Sequence, residues 1–206
     1  MTLLAERARI RALGCVPYAP TLEAMRTFNA RRDAATPDEL WILEHPPVYT
    51  LGLAADAAHG LRAGSAIPVV QVERGGEITY HGPGQAVLYT LVDLARRGIK
   101  VREFVRLLER SVLELLEGRG EARPGAPGVY VDGAKIAALG IRVSRGCAFH
   151  GLSLNVDMDL APFAAIDPCG YPGLRVTQTK DIGMAGDTQV LGAKLAAIVA
   201  RELDHA

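Results

Sequence analysis

The chain has 206 residues, 49% of them hydrophobic and 22% charged, with 23 basic residues balancing 23 acidic ones. A chain of this size fits one domain that buries roughly 70% of its unfolded surface, and its composition excludes a disordered, collagen-like or fibrous protein. Zero net charge removes any bulk electrostatic case for nucleic acid or a membrane surface as the main partner, so a charged docking site must be local. Three cysteines, Cys15, Cys147 and Cys169, are too few and too irregular for a disulfide framework, which points to a reducing compartment. Met1 to Arg7 carries no basic segment followed by an apolar run, and no stretch of about 18 apolar residues occurs, so the expected location is the cytoplasm.

Leu22, Met25, Phe28 and Asn29 recur at helical spacing after Pro20, with Thr21 as the expected N-cap. Leu40 to His45 reads as a strand stopped by Pro46-Pro47, and Val69 to Glu73 as another. A glycine-rich loop from Arg74 to Gln85 then leads into the apolar strand Ala86 to Val92. Val101, Phe104, Val105, Leu108, Val112, Leu115 and Leu116 share one face of a long amphipathic helix that Gly118 and Gly120 stop. Asp132-Gly133 is a strong hairpin signal between Gly128–Val131 and Ala134–Val143, and a third strand, Cys147 to Val156, follows the turn Ser144-Arg145-Gly146. Asp187 caps a final helix with Leu191, Leu195, Ile198, Val199 and Leu203 on one stripe. Consecutive strands with separate helices predict a single α+β domain over residues 1–206, with mixed and antiparallel sheets flanked by helices.

Three segments carry chemistry. In Asp167-Pro168-Cys169-Gly170-Tyr171-Pro172-Gly173, Pro168 fixes φ and the glycines allow positive φ, so Cys169 is presented at a bend. A free thiol titrates near ~8.5 and needs a neighbouring cation to stay thiolate at neutral pH; Lys135, just past the hairpin turn, is the candidate. The Arg74–Gln85 segment matches neither the dinucleotide fingerprint nor the P-loop pattern, so its glycines are expected to let the backbone approach a ligand that its polar side chains orient. Cys147-Ala148-Phe149-His150 is half a metal site with no second pair, and no metal is expected. Alternation instead places His150 with Leu152 and Leu154 as a hydrogen-bonded core histidine, and Cys15 reads as a small core side chain. No role is assigned to His45, His59 or His205.

Four blocks in order bring out a likeness. They are Arg74-Gly75-Gly76 running into Thr79-Tyr80-His81-Gly82-Pro83-Gly84-Gln85; Lys135-Ile136-Ala137-Ala138-Leu139-Gly140-Ile141-Arg142; Phe149-His150-Gly151 with Leu154-Asn155-Val156; and Ile166-Asp167-Pro168-Cys169-Gly170. Along nearly its whole length, from His45-Pro46-Pro47 to Arg175-Val176-Thr177, the chain resembles the lipoate-protein ligase B family of octanoyltransferases. The resemblance implies a biotin- and lipoate-ligase-like fold. It also implies transfer of an octanoyl group from octanoyl-acyl carrier protein to a lysine of lipoyl domains, those of 2-oxoacid dehydrogenase E2 subunits and of the glycine cleavage H protein. Cys169 would carry the thioester and Lys135 would lower its pKa. The implied substrate-binding segments are Arg74, Gly75, Gly76, Glu77, Ile78, Thr79, Tyr80 and His81; Ala138, Leu139 and Gly140; and Gly151, Leu152 and Ser153. Thr90 and Gln178 depart from the family's usual proline and serine.

Because the donor is already a thioester, exchange onto Cys169 needs no ATP, metal or cofactor, and neither nucleic acid nor membrane is an expected partner. Backbone amides near Gly170 or Gly140, or His81, are the candidate oxyanion donors, and Leu139, Leu152 and Val156 the expected walls of an acyl slot. Arg142 with Arg145, or Arg96, Arg97 and Lys100, could dock acidic partners. Three alternatives stay open on sequence: an ATP-using lipoate or biotin ligase, an amidotransferase between lipoyl domains, and a non-catalytic acyl-carrier-binding module.

Overall fold

Alternating hydrophobic residues give two sheets in the computed structural model, which describes residues 7–55, 66–166, 173–184 and 186–206. The strands are β1 (Arg9–Cys15), β2 (Glu39–Glu44), β3 (Val48–Leu51), β4 (Val69–Gln71), β5 (Ile78–His81), β6 (Gln85–Asp93), β7 (Glu121–Arg123), β8 (Ala126–Val131), β9 (Ala134–Ser144) and β10 (Cys147–Asn155). Among the described residues, seven of them form one sheet in the order β1-β2-β6-β10-β9-β8-β7. Its pairs are antiparallel except β1 with β2, so the sheet is mixed. A smaller sheet, β4-β3-β5, joins a parallel to an antiparallel pair and passes straight into β6.

The large sheet is buried on both faces, and its alternation sorts side chains between two cores. Leu40, Ile42, Ala86, Leu88, Val92, Leu152 and Leu154 meet the helices α3 (Val101–Leu115) and α4 (Thr188–Asp204) through Phe104, Leu108, Val112, Leu191, Leu195 and Val199. The opposite face holds Trp41, Leu43, Val87, Tyr89, Leu91 and Phe149 against Tyr18, Leu22 and Met25 of helix α1 (Tyr18–Arg31), and a one-turn helix, α2 (Leu94–Arg97), follows β6. The small sheet packs Tyr49, Leu51, Ile78 and Tyr80 against Met158, Phe163 and Ile166. None of the helices is long and apolar enough to cross a membrane among the described residues.

Several local expectations hold. Asp132 and Gly133 adopt φ of 48° and 77°, the geometry a two-residue hairpin turn demands. The Asp187 carboxylate accepts from the Val190 N–H at 2.8 Å, capping α4. Others change. Helix α1 begins at Tyr18, so Thr21 lies inside its first turn and its hydroxyl donates back to the Pro17 carbonyl at 2.8 Å. Pro20 is tolerated because first-turn N–H groups have no helical acceptor. Cys15 is exposed, since it ends edge strand β1, and is not a core side chain. The Arg74–Gln85 segment is not one continuous loop, because Ile78–His81 pairs with β3 as β5.

Basic residues proposed for docking have structural duties. Arg32 Nη2, Arg96 Nη2 and Arg97 Nε donate to the fully buried Asp38 carboxylate at 2.6, 2.8 and 2.6 Å, and the Asp93 amide adds a fourth bond at 2.8 Å. Burial alone would raise the Asp38 carboxyl, but the Asp93 amide and the Arg97 and Arg32 guanidinium groups hold it below the usual carboxylate range. Arg145 donates to the Asn29 and Ala30 carbonyls at the end of α1. Arg142 and Lys100 stay exposed. Removing Asp38 leaves three cations facing one another, so Asp38→Ala is expected to cost about 3–5 kcal/mol in urea denaturation; a loss under 1 kcal/mol would show that the cluster does not bear on stability.

Candidate active site

One residue out of register sets the position of Lys135. Between β8 and β9 the pairs run Val129 with Ala137 and then Tyr130 with Lys135, so Ile136 is an extra, bulged residue. Ile136 and Ala137 both enter the helix-side core. Strict alternation would have put Lys135 there with Ala137; the bulge reverses it onto the face of Ala138 and Gly140. The side chain is buried, donates from Nζ to the Pro127 carbonyl at 3.2 Å, and holds its ammonium 5.0 Å from the centre of the Tyr130 ring. Gly128 makes room for it, because a Cβ there would lie 3.4 Å from Nζ and 2.6 Å from the Ala137 carbonyl oxygen.

The Lys135 backbone is clamped to a returning segment. Its N–H donates to the Arg175 carbonyl at 2.8 Å and its carbonyl accepts from the Thr177 N–H at 3.0 Å, making a parallel bridge with Val176. Thr177 lies a few residues past the Pro-Cys-Gly block. Cys169 and Gly170 themselves lie outside the described residues.

Along the same face runs a pocket. Its lining takes Arg74, Gly76, Glu77, Ile78, Thr79 and His81 from one predicted segment, Ala138, Leu139 and Gly140 from the second, and Gly151, Leu152 and Ser153 from the third. Register explains the convergence: Ala138 pairs with Ser153 and Gly140 with Gly151, while Val87 and Tyr89 oppose the same two residues from β6. Gly75 and Tyr80 do not line it. Gly75 is turned into a backbone bond with the Ile141 carbonyl at 3.0 Å, and the Tyr80 ring packs on Tyr49 and Phe163. Val156, an expected slot wall, is buried in the helix-side core, and Val87 takes the wall position.

Arg74 shapes the rim. Its guanidinium donates to the Thr50 and Glu77 carbonyls, each at 2.8 Å, to the Gly75 carbonyl at 3.1 Å, and to the Thr50 hydroxyl. His81 starts a relay of side-chain amides. Gln85 Nε2 donates to the Tyr80 carbonyl and to Asn155 Oδ1, so Gln85 Oε1 must accept the proton of His81 Nδ1, 2.7 Å away. Asn155 Nδ2 donates on to the Thr177 carbonyl at 2.9 Å, which ties the pocket rim to the strand clamping Lys135. Burial, then His45, push His81 down to about 3, so it is neutral with a lone pair on Nε2 and is an acceptor, not the oxyanion donor considered from sequence.

Four lining groups escaped the sequence reading: Tyr18, Val87, Tyr89 and the His150 ring. His45, given no role, is fully buried beneath them, with Nδ1 on the Val16 carbonyl and Nε2 on the Tyr89 hydroxyl, both at 2.7 Å. Tyrosines placed in apolar runs were the available signal, since a buried hydroxyl needs a partner. Burial raises Tyr18 to about 12 and lowers His45 to about 4. His150 is in a left-handed conformation, φ 61°, and its ring stacks on Phe149 at 5.0 Å and lies edge-on to Tyr89 at 6.2 Å. It therefore leaves the face of Leu152 and Leu154. Neither ring nitrogen has a hydrogen-bond partner among the described residues, contrary to the expected hydrogen-bonded core histidine. The Cys147 thiol points to the Arg145 carbonyl at 3.7 Å, away from any shared site with His150.

A mixed sheet backed by two helices, with an apolar pocket on the other face, is the architecture of the lipoate- and biotin-ligase class. Lipoate-protein ligase A bound with ATP superposes with a TM-score of 0.77 at 14% identity, covering 96% of this chain and 85% of that one. Biotin protein ligase from Aquifex aeolicus gives 0.58 at 15% identity over 95% of this chain and 70% of that one. At such identities the likeness speaks for the fold alone. Residues 17–196 match the lipoyl protein ligase A/B catalytic domain, and the chain belongs to that family. Among curated relatives it is similar to octanoyltransferases of Thiobacillus denitrificans, 62% identical over 85% of this chain and 81% of the relative, and of Aromatoleum aromaticum, 58% identical over 94% and 85%.

His45, His81 and His150 lie below their ordinary value of 6.5, at about 4, 3 and 4, each through burial first. An unfolded chain takes up these protons below pH 6.5 while the folded chain stays neutral. The stability is thus fully present above pH 6.5 and is lost as pH falls toward 4, at up to ~1.4 kcal/mol per pH unit for each histidine. The urea midpoint is expected to hold between pH 8 and 7 and to drop steadily from 6.5 to 4.5. A flat midpoint across that window would contradict neutral burial.

Proposed function

We propose that the chain is an octanoyltransferase that moves an octanoyl group from octanoyl-acyl carrier protein to a lysine of a lipoyl domain through a thioester on Cys169. The octanoyltransferase activity follows from family membership and the high identity to curated relatives bearing that name. What supports the Cys169–Lys135 route is the bulge at Ile136, which turns a buried lysine onto the face that carries the pocket, with its backbone clamped to Arg175–Thr177, a few residues after the Pro-Cys-Gly block in sequence.

In the first half-reaction the Cys169 thiolate attacks the donor carbonyl, the new thioester forms, and the carrier's thiolate leaves with the Lys135 proton. In the second, the acceptor amine attacks that thioester, neutral Lys135 takes the amine's proton, and the amide forms as Cys169 departs as thiolate. Thiolate and ammonium are thereby restored, and the pair titrates as one unit. One thioester replaces another in the first half, so no nucleotide is consumed. Each methylene buried along Ile78, Val87, Ala138 and Leu139 is worth about 0.8 kcal/mol.

Acyl carrier protein as donor and lipoyl domains as acceptors accompany this activity. Those of 2-oxoacid dehydrogenase E2 subunits and the glycine cleavage H protein are the acceptors proposed, with the chain acting in the cytoplasm as one catalytic domain. Exposed Arg142, on the pocket face, is the basic residue best placed to meet an acidic partner.

Intact-protein mass spectrometry after mixing with octanoyl carrier protein is expected to find one octanoyl adduct, absent from Cys169→Ser; an unmodified wild type would remove the thioester step. Lys135→Arg keeps charge yet cannot release its proton, so turnover should drop about 10²–10⁴-fold. Unchanged turnover would remove the base role. Exchange of labelled pyrophosphate into ATP, expected to be absent, would instead identify an ATP-using ligase.

A further inference from the structure

His150 and Tyr89 bring polar side chains into the pocket lining, where an acyl slot has no evident need for polarity. Lys135 precedes the first lining residue of β9, Ala138, on the same face of the sheet. Following the sheet from there, the lining passes Ala138 and Ser153, then Gly140 and Gly151, and reaches His150 beside Tyr89. Lys135 to Gly140, less the bulged residue, spans about 13 Å at ~3.3 Å per strand residue. That is close to an extended eight-carbon chain, roughly 10 Å from bonds of ~1.5 Å in zigzag, plus its attachment to sulfur.

His150 is unusual in three respects at this point. Its side chain is almost fully buried at 1% exposure, neither ring nitrogen has a partner among the described residues, and its backbone is left-handed inside a strand. A buried polar atom without a partner destabilises the fold, and so does a non-glycine residue held at positive φ. The strain turns the ring away from the core that alternation assigns it and into the pocket. Phe149 and Tyr89 pack against the ring and leave its nitrogens to whatever occupies the slot.

We infer that His150 is the end-stop of the acyl slot, a specificity-determining residue whose ring nitrogens bond a water beyond the eighth carbon or a polar group carried there by the acyl chain. A longer apolar chain expels that water and leaves the imidazole without a partner. A hydroxyl at the far end of an eight-carbon chain replaces the water bond for bond. The inference rests on the acyl-transfer reading and adds to it the rule by which the slot selects chains.

The test compares octanoyl and 8-hydroxyoctanoyl carrier thioesters as donors. In the wild type kcat/KM for the two is expected to agree within about threefold, and in His150→Phe the hydroxylated donor should fall at least tenfold relative to octanoyl. His150→Asn, which accepts positive φ and keeps a donor and an acceptor, should restore the wild-type ratio. A hundredfold wild-type preference for the plain chain would overturn the inference whether or not the variants fold, as would a ratio unmoved by His150→Phe. Calorimetric binding of S-octanoyl- and S-(8-hydroxyoctanoyl)-pantetheine to Cys169→Ser protein reads the same ratio without chemistry. Failure of transfer with the binding ratio intact would therefore sink the transfer reading alone, and equal loss for both ligands with no dependence on His150 would sink this one.

Discussion

A single extra residue in β9 decides which face of the large sheet receives Lys135. With regular pairing the Lys135 ammonium would point into a core of Phe104, Leu108 and Val112 type side chains, where an unpaired charge costs several kcal/mol. The bulge at Ile136 gives that core an isoleucine and hands the lysine to the other face, over Gly128 and the Tyr130 ring. Local twist at a bulge re-aims a side chain without changing the rest of the sheet, whose register here carries on through β10 and β6.

The polar parts around that lysine are held by neighbours that leave little freedom. Thr177 accepts from Asn155 through its carbonyl and donates to the Lys135 carbonyl, so the amide relay from His81 and the clamp on β9 meet at one residue. Burial keeps all three inner histidines neutral, and a neutral ring can accept or donate without carrying charge into an apolar slot. The same economy governs the periphery, where Asp38 gathers Arg32 together with Arg96 and Arg97, two of the residues considered for docking.

Much of the fold was legible because it follows alternation and turn chemistry. The β8–β9–β10 meander came from Asp132-Gly133 and Arg145-Gly146, both at positive φ, and helix α3 from its apolar stripe. Strands β1, β3, β5 and β7 were not, being short or at sheet edges where one face's pattern is weak. Of the candidate site, the three lining segments were legible only through family likeness; their convergence is a property of register between β6, β10 and β9. His150 and His45 were misjudged for one reason. Strict period-two alternation cannot see a left-handed residue inside a strand, nor a tyrosine hydroxyl that reaches a histidine across the sheet.

The central claim is that the bulge brings a buried ammonium to bear on the Cys169 thiol, and the most direct measurement is the pH dependence of its alkylation by iodoacetamide. In the wild type the reaction is expected to titrate at least one unit below the ~8.5 of a free cysteine, and in Lys135→Met to return to about 8.5 or above. A midpoint near 8.5 in the wild type, or one that does not move when the lysine is replaced, would contradict the account.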